Sequence, residues 1–237
     1  AHFDRSALVL RFIRVNMKFV AVLAVLALVV VATTGKRRRR GMEQALKMTA
    51  SGFAGTASGP HYFEQRLTHF DGSNEQTWQQ AYYVNDTFWK GPESGAPVFL
   101  CVGGEGPAFD PSVTVDSVHC SNAVDWLEET GALFLAVQHR YYGCSKNATV
   151  DCPVNNFDQP TEALKFLNSK QALGDLARFH QYATDTYKLD IAKNKWISWG
   201  GSYPGMLASW VRLKFPHLIH ASVASSAPVH TKLAMPE

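Results

Sequence analysis

The run Lys195-Trp196-Ile197-Ser198-Trp199-Gly200-Gly201-Ser202-Tyr203-Pro204-Gly205-Met206-Leu207-Ala208 sets a serine between an apolar, strand-like stretch and a helix-like one. A serine held on a sharp strand-to-helix turn is the layout of a nucleophile elbow. The chemistry it serves is acyl transfer: attack on a carbonyl carbon, then hydrolysis of the acyl-enzyme. The glycines have a physical task there, because the turn is strained and a side chain beside the serine would strike the neighbouring strand. Pro204 suits the first turn of a helix, where a backbone N–H has no helical partner. The helix start then aims unpaired N–H groups and the positive end of its dipole at the place where an oxyanion would form. The pattern Gly-x-Ser-x-Gly is met imperfectly, since position 204 is proline and the glycine falls at 205. A Gly-rich turn without catalytic function is the alternative.

Acyl transfer needs a nucleophile, a base, an orienting acid and an oxyanion hole. Ser202 is the candidate nucleophile, and the N–H of Tyr203 is one natural oxyanion donor. The second donor should come from a loop after an earlier buried strand, where Gly103-Gly104-Glu105-Gly106 stands. The Gly104 N–H is the candidate, with Glu105 next to it. A phosphate cradle is disfavoured at this loop because the Lys-Ser/Thr ending of such loops is absent. His217, His220 and His230 follow the elbow but fit a surface or packing role better than that of the base. Asp175 and Asp185 precede it on a helix-like stretch and read as solvated charges. His139-Arg140 reads as positioning the end of a strand, and Ser225 and Ser226 as tight strand packing. No metal-ligand spacing is present, and no cofactor is implied.

The elements that must position these residues come next. Val98-Phe99-Leu100-Cys101-Val102 and Leu133-Phe134-Leu135-Ala136-Val137 are apolar without interruption, the mark of strands buried on both faces, and Trp196 to Trp199, broken only by Ser198, reads as a third buried strand. Each of the first and third runs straight into glycines. Tyr62 to Leu67 and Thr77 to Val84 predict a β-hairpin across the turn Asp71-Gly72-Ser73-Asn74. Helices are predicted over Asn122 to Thr130, Thr161 to Leu167, Ser169 to Tyr187 and Gly205 to Lys214, and a fourth strand of this series over Ala221 to Ser226. A hairpin followed by buried strands alternating with helices is an α/β fold whose sheet becomes parallel, with ligands bound at the carboxyl ends of its strands.

The composition, 46% hydrophobic and 18% charged over 237 residues, supports one sizeable core. The net charge of +3 rests on the run Lys36-Arg37-Arg38-Arg39-Arg40, and the remainder offers no basic face for nucleic acid. Met17-Lys18 followed by the apolar run Phe19 to Ala32 reads as a signal peptide over 17–35, with 1–16 as upstream read-through and 36–60 as a linker. A signal anchor is the alternative; after signal removal no stable membrane span is expected. The sequons Asn85-Asp86-Thr87 and Asn147-Ala148-Thr149 are glycosylation candidates, in keeping with a secretory route. Cys144 and Cys152 bracket a short polar loop and form the candidate disulfide, while Cys101 in its apolar run reads as a buried free thiol.

Taken in order, several stretches resemble the prolyl-specific serine peptidase family: Tyr62-Phe63-Glu64-Gln65-Arg66-Leu67-Thr68-His69-Phe70, His139-Arg140-Tyr141-Tyr142-Gly143, Leu167-Asn168-Ser169-Lys170-Gln171-Ala172-Leu173-Gly174-Asp175-Leu176, the elbow itself, and Ala224-Ser225-Ser226-Ala227-Pro228-Val229. That family includes lysosomal Pro-Xaa carboxypeptidase, dipeptidyl peptidase II and thymus-specific serine protease, and the Gly-Gly-Glu-Gly-Pro loop with Tyr-Pro after the serine is nearest the thymus-specific branch. The resemblance implies an α/β-hydrolase over 61–237, a triad in the order Ser-Asp-His, and cleavage after proline near a peptide terminus. It implies a peptide substrate, no cofactor, and an extracellular or lysosomal setting; a homodimer stays open. It further implies that the cap domain, the acid and the base lie beyond residue 237, so that the chain is an N-terminal part without activity of its own. Gln138 departs from the family, many of whose members have Glu there. A general esterase on the same fold and a catalytically dead secreted binding protein are the competing readings.

Overall fold

The computed structural model describes residues 60–116, 120, 122–144, 151–154 and 160–230. The targeting segment, the sequon at Asn147 and the boundaries drawn at 16, 35 and 60 all fall on or against residues outside that set. A single sheet orders six strands as β1-β2-β4-β3-β5-β6. β1 (His61–Arg66) and β2 (Thr77–Asn85) form the antiparallel hairpin, and β2 continues antiparallel to β4 (Leu133–Val137). β3 (Val98–Val102) lies between β4 and β5 (Trp196–Gly201), and β6 (Ala221–Ser225) closes the far edge; these four run parallel.

The uninterrupted apolar runs take the middle of the sheet because both faces there are covered. Along β3 and β4 alternate residues enter opposite layers. Val98, Leu100, Val102, Leu133, Leu135 and Val137 pack with Leu176, Phe179, Leu207 and Val211. Phe99, Cys101, Phe134 and Ala136 pack on the other side with Val113, Cys120, Ala123 and Leu127. The first layer is supplied by α3 (Ser169–Thr186) and α4 (Tyr203–Lys214). Asn168 caps α3, its side-chain oxygen accepting from the Gln171 N–H at 3.0 Å. Arg212 and Lys214 sit in the last turn of α4, where the helix dipole favours cations. The second layer holds a short 3-10 turn, Ala123–Trp126, running into α1 (Leu127–Thr130).

Several expectations are corrected. The helix predicted over 161–167 is only one turn, α2 (Pro160–Ala163), with its continuation in turns that lead to Asn168. Cys101 is not a free thiol: it is bonded to Cys120 across the second layer, and Cys144 is bonded to Cys152. Asp175 is not solvated but 2% exposed, whereas Asp185 is exposed on the same helix. Ser225 and Ser226 are exposed rather than packed within the sheet. Asn85 is a poorly placed glycosylation candidate. It ends β2, is buried, and its Nδ2 donates to the Thr114 carbonyl at 2.8 Å, so a glycan on that nitrogen requires this contact to open.

Candidate active site

β5 ends at Gly201, α4 begins at Tyr203, and Ser202 alone makes the turn between them. Its backbone sits at φ 58° and ψ −129°, a region that side chains disfavour and that functional turns tolerate when their surroundings enforce it. Two bonds do the enforcing. The Ser202 N–H donates to the Ser225 carbonyl at the end of β6 at 2.9 Å, and the Ser202 carbonyl accepts from the Met206 N–H at 3.1 Å, the first bond of the helix. Close packing does the rest: a Cβ on Gly200 would lie 2.4 Å from the Pro204 carbonyl oxygen, so only glycine lets the strand and helix meet there. The serine side is exposed, and among the described residues its hydroxyl has no hydrogen-bond partner.

β3 and β5 are neighbours in register, Cys101 opposite Trp199, so the loop after β3 arrives beside the elbow. Gly104 is pressed on it so closely that a Cβ would fall 2.2 Å from Pro204 Cγ. Gly104 and Tyr203, proposed from the sequence as the two oxyanion donors, are thus brought to one place. The Tyr203 N–H belongs to the first turn of α4, where the helix supplies no acceptor. Glu105 is exposed at the loop's outer side.

Behind the turn lies a buried polar network that the sequence did not reveal. His139, just after β4, places Nε2 3.1 Å from the Tyr203 hydroxyl and Nδ1 2.8 Å from the Arg140 carbonyl. A carbonyl only accepts, so Nδ1 carries the proton and Nε2 of the neutral ring accepts from the Tyr203 O–H. Burial holds the His139 imidazole below its ordinary value and pushes the Tyr203 phenol up to about 12, which keeps both groups neutral near pH 7. Arg140 is fully buried and makes a two-pronged pair with Asp175, Nε to Oδ2 at 2.7 Å and Nη2 to Oδ1 at 2.6 Å. Its Nη1 also donates to the carbonyls of Leu67 and Phe166, and His69 Nε2 meets Asp175 Oδ1 at 2.8 Å. His139-Arg140 therefore does position the strand end, as expected, and Asp175 is the acid that holds Arg140. Gln138 accepts from the Phe109 N–H and so pins the chain leaving the glycine loop.

The three histidines after the elbow, His217, His220 and His230, are exposed, and none is hydrogen-bonded to Ser202. Among the described residues no group of three or more His, Cys, Asp or Glu is placed to hold a metal ion, and no helix is long and apolar enough to cross a membrane. The exposed Ser202 hydroxyl has the chemistry of a nucleophile, and the unpaired N–H of Tyr203 beside it that of an oxyanion donor.

Comparison with known proteins accords with this geometry. The family model described as serine carboxypeptidase S28 matches residues 65–237. Thymus-specific serine protease of Homo sapiens is 38% identical over 176 residues, which is 74% of this chain and 31% of that protein. Its Mus musculus counterpart is 39% identical over 168 residues, 71% of this chain and 30% of that protein. Lysosomal Pro-X carboxypeptidase of Bos taurus is 36% identical over 172 residues, 71% of this chain and 31% of that protein. The chain spans about 30% of the length of the curated relatives it matches. Among solved structures, a thermostable esterase superposes with a TM-score of 0.43 at 15% identity, over 71% of this chain and 40% of that one. The strand order, the elbow after β5 and the family match together make the fold that of the α/β-hydrolases.

Proposed function

The chain belongs to the serine carboxypeptidase S28 family, and from that premise we propose that the protein carrying it is a serine exopeptidase acting on peptides with proline near a terminus. The observation that carries this reading is Ser202 at φ 58°, alone on the turn between β5 and α4 and open to solvent. Ser202 Oγ attacks the carbonyl carbon on the acyl side of the scissile bond, and the N–H groups of Tyr203 and Gly104 receive the oxyanion. Collapse of that intermediate expels the amine and leaves an ester on Ser202, which water hydrolyses. The base and its orienting acid are assigned to the polypeptide beyond residue 237, following the order Ser-Asp-His. Proline preference and a lysosomal setting are supported by the name of one group of relatives, the lysosomal Pro-X carboxypeptidases. Two disulfides in the described residues suit that oxidising route.

The test is a fluorophosphonate probe applied to the full-length polypeptide, with Ser202→Ala as control. Labelling of the wild type and its loss in Ser202→Ala is the expected result. An unlabelled, folded wild type overturns the reading in favour of a non-catalytic binding protein. Turnover of acyl esters with none of prolyl peptides replaces the peptidase by an esterase.

A further inference from the structure

We propose that His139 is a positioning residue for this reaction, setting the gap between the Gly104 and Tyr203 N–H groups that would hold the oxyanion. The proposal rests on the reading of Ser202 as nucleophile. His139 stands between the two arms of the hole and touches each. Its backbone abuts the glycine loop: a Cβ on Gly103 would lie 2.6 Å from the His139 nitrogen and 2.5 Å from the Val137 carbonyl oxygen. Its side chain reaches the other arm, where Nε2 accepts from the Tyr203 hydroxyl.

The histidine has little freedom to move. It is 5% exposed, and its ring lies between Tyr142 and Tyr203 with centroids 5.2 and 5.5 Å away. The next residue, Arg140, is clamped by Asp175. Both ring nitrogens are occupied, so His139 has no site left to take the proton of Ser202. Its influence passes through Tyr203, whose N–H leaves the same residue as the hydroxyl that His139 holds. The direct packing of Gly104 on Pro204 is a second strut across the same gap, and the two contacts together fix it.

The test compares rates of fluorophosphonate labelling of Ser202 in the full-length polypeptide. Tyr203→Phe, which deletes only the hydroxyl, should label about tenfold more slowly, less than the loss from removing a donor outright. Its thermal midpoint should fall modestly with the fold retained, because the buried Nε2 of His139 loses its donor. His139→Leu should lose as much, and His139→Gln, which returns an acceptor near the place of Nε2, should recover most of the rate. The double variant Tyr203→Phe/His139→Leu should be no slower than the slower single, because both break the same His139–Tyr203 bond. If His139→Leu does not fold, the same comparison runs between Tyr203→Phe and His139→Gln. Wild-type rates in Tyr203→Phe, or losses that multiply in the double variant, overturn the proposal alone. A wild type that does not label overturns the nucleophile reading and this inference with it.

Discussion

Proline at 204 and glycine at 104 are two halves of one fit. The ring of Pro204 fills the space that a side chain at 104 would need, with 2.2 Å between Pro204 Cγ and a Cβ at that position. Gly104→Ala is therefore expected to push the loop off the elbow and cut the rate of Ser202 labelling at least tenfold, as loss of one oxyanion donor does. Pro204→Gly in the same chain removes the obstructing ring and should restore much of that rate. If Gly104→Ala labels like the wild type, the loop does not form part of the hole. The off-pattern proline thus has a structural counterpart 100 residues earlier. Much of this was legible in the sequence, since Gly-Gly-Ser followed by proline already carried the strand, turn and helix. The contact between 104 and 204 was not, because it depends on β3 and β5 becoming neighbours although β4 intervenes in the chain.

At the level of the elements, the Arg140–Asp175 pair ties the end of β4 to the middle of α3 and, through the Leu67 and Phe166 carbonyls, to the segment after β1 and the turn before α3. Removing one partner of a fully buried pair leaves an uncompensated charge, at a cost of about 3–5 kcal/mol. Asp175→Asn is expected to lower the denaturant midpoint by a corresponding amount without changing the slope, measured by chemical unfolding. A midpoint within error of the wild type would show that the pair contributes little. Nothing near Asp175 in the chain announced this role. Its helical spacing suits a solvated face equally well, and its partner is 35 residues away. By contrast β3 and β4 were legible from five apolar residues each, because a strand covered on both faces has no other composition open to it. Cysteine pairing was half legible: an eight-residue separation suggested Cys144–Cys152, while Cys101–Cys120 depends on what packs over the sheet.

At the scale of the whole molecule, two of the described groups, the half-buried Asp151 and the buried His180, give stability opposing dependences on pH. Asp151, next to Cys152, docks on β2, its Oδ1 accepting from the Ala81 N–H at 2.9 Å and its own N–H donating to the Gln79 carbonyl. Burial raises its carboxyl to about 6. The folded state thus holds that proton more tightly than the unfolded one, and the contribution is full below about pH 4 and fades as pH rises through 6. His180 is lowered to about 4 by burial, so its contribution is full above about 6.5 and is lost as pH falls toward 4. Asp151→Asn keeps an acceptor for Ala81 and should abolish the first dependence, leaving a thermal midpoint that only rises between pH 4 and 6.5. Parallel curves for wild type and variant would exclude Asp151 as the source. The bond between Cys101 and Cys120 bears on the glycine loop. It closes a covalent ring of which Gly103 and Gly104 are members, with one end fastened to the central strand. Opening it returns roughly 3 kcal/mol of chain entropy to the unfolded state. A host cell that keeps thiols reduced would therefore yield a protein with an unaltered Ser202 and a slack loop beside it, and the choice of expression compartment decides how firmly Gly104 is held against Pro204.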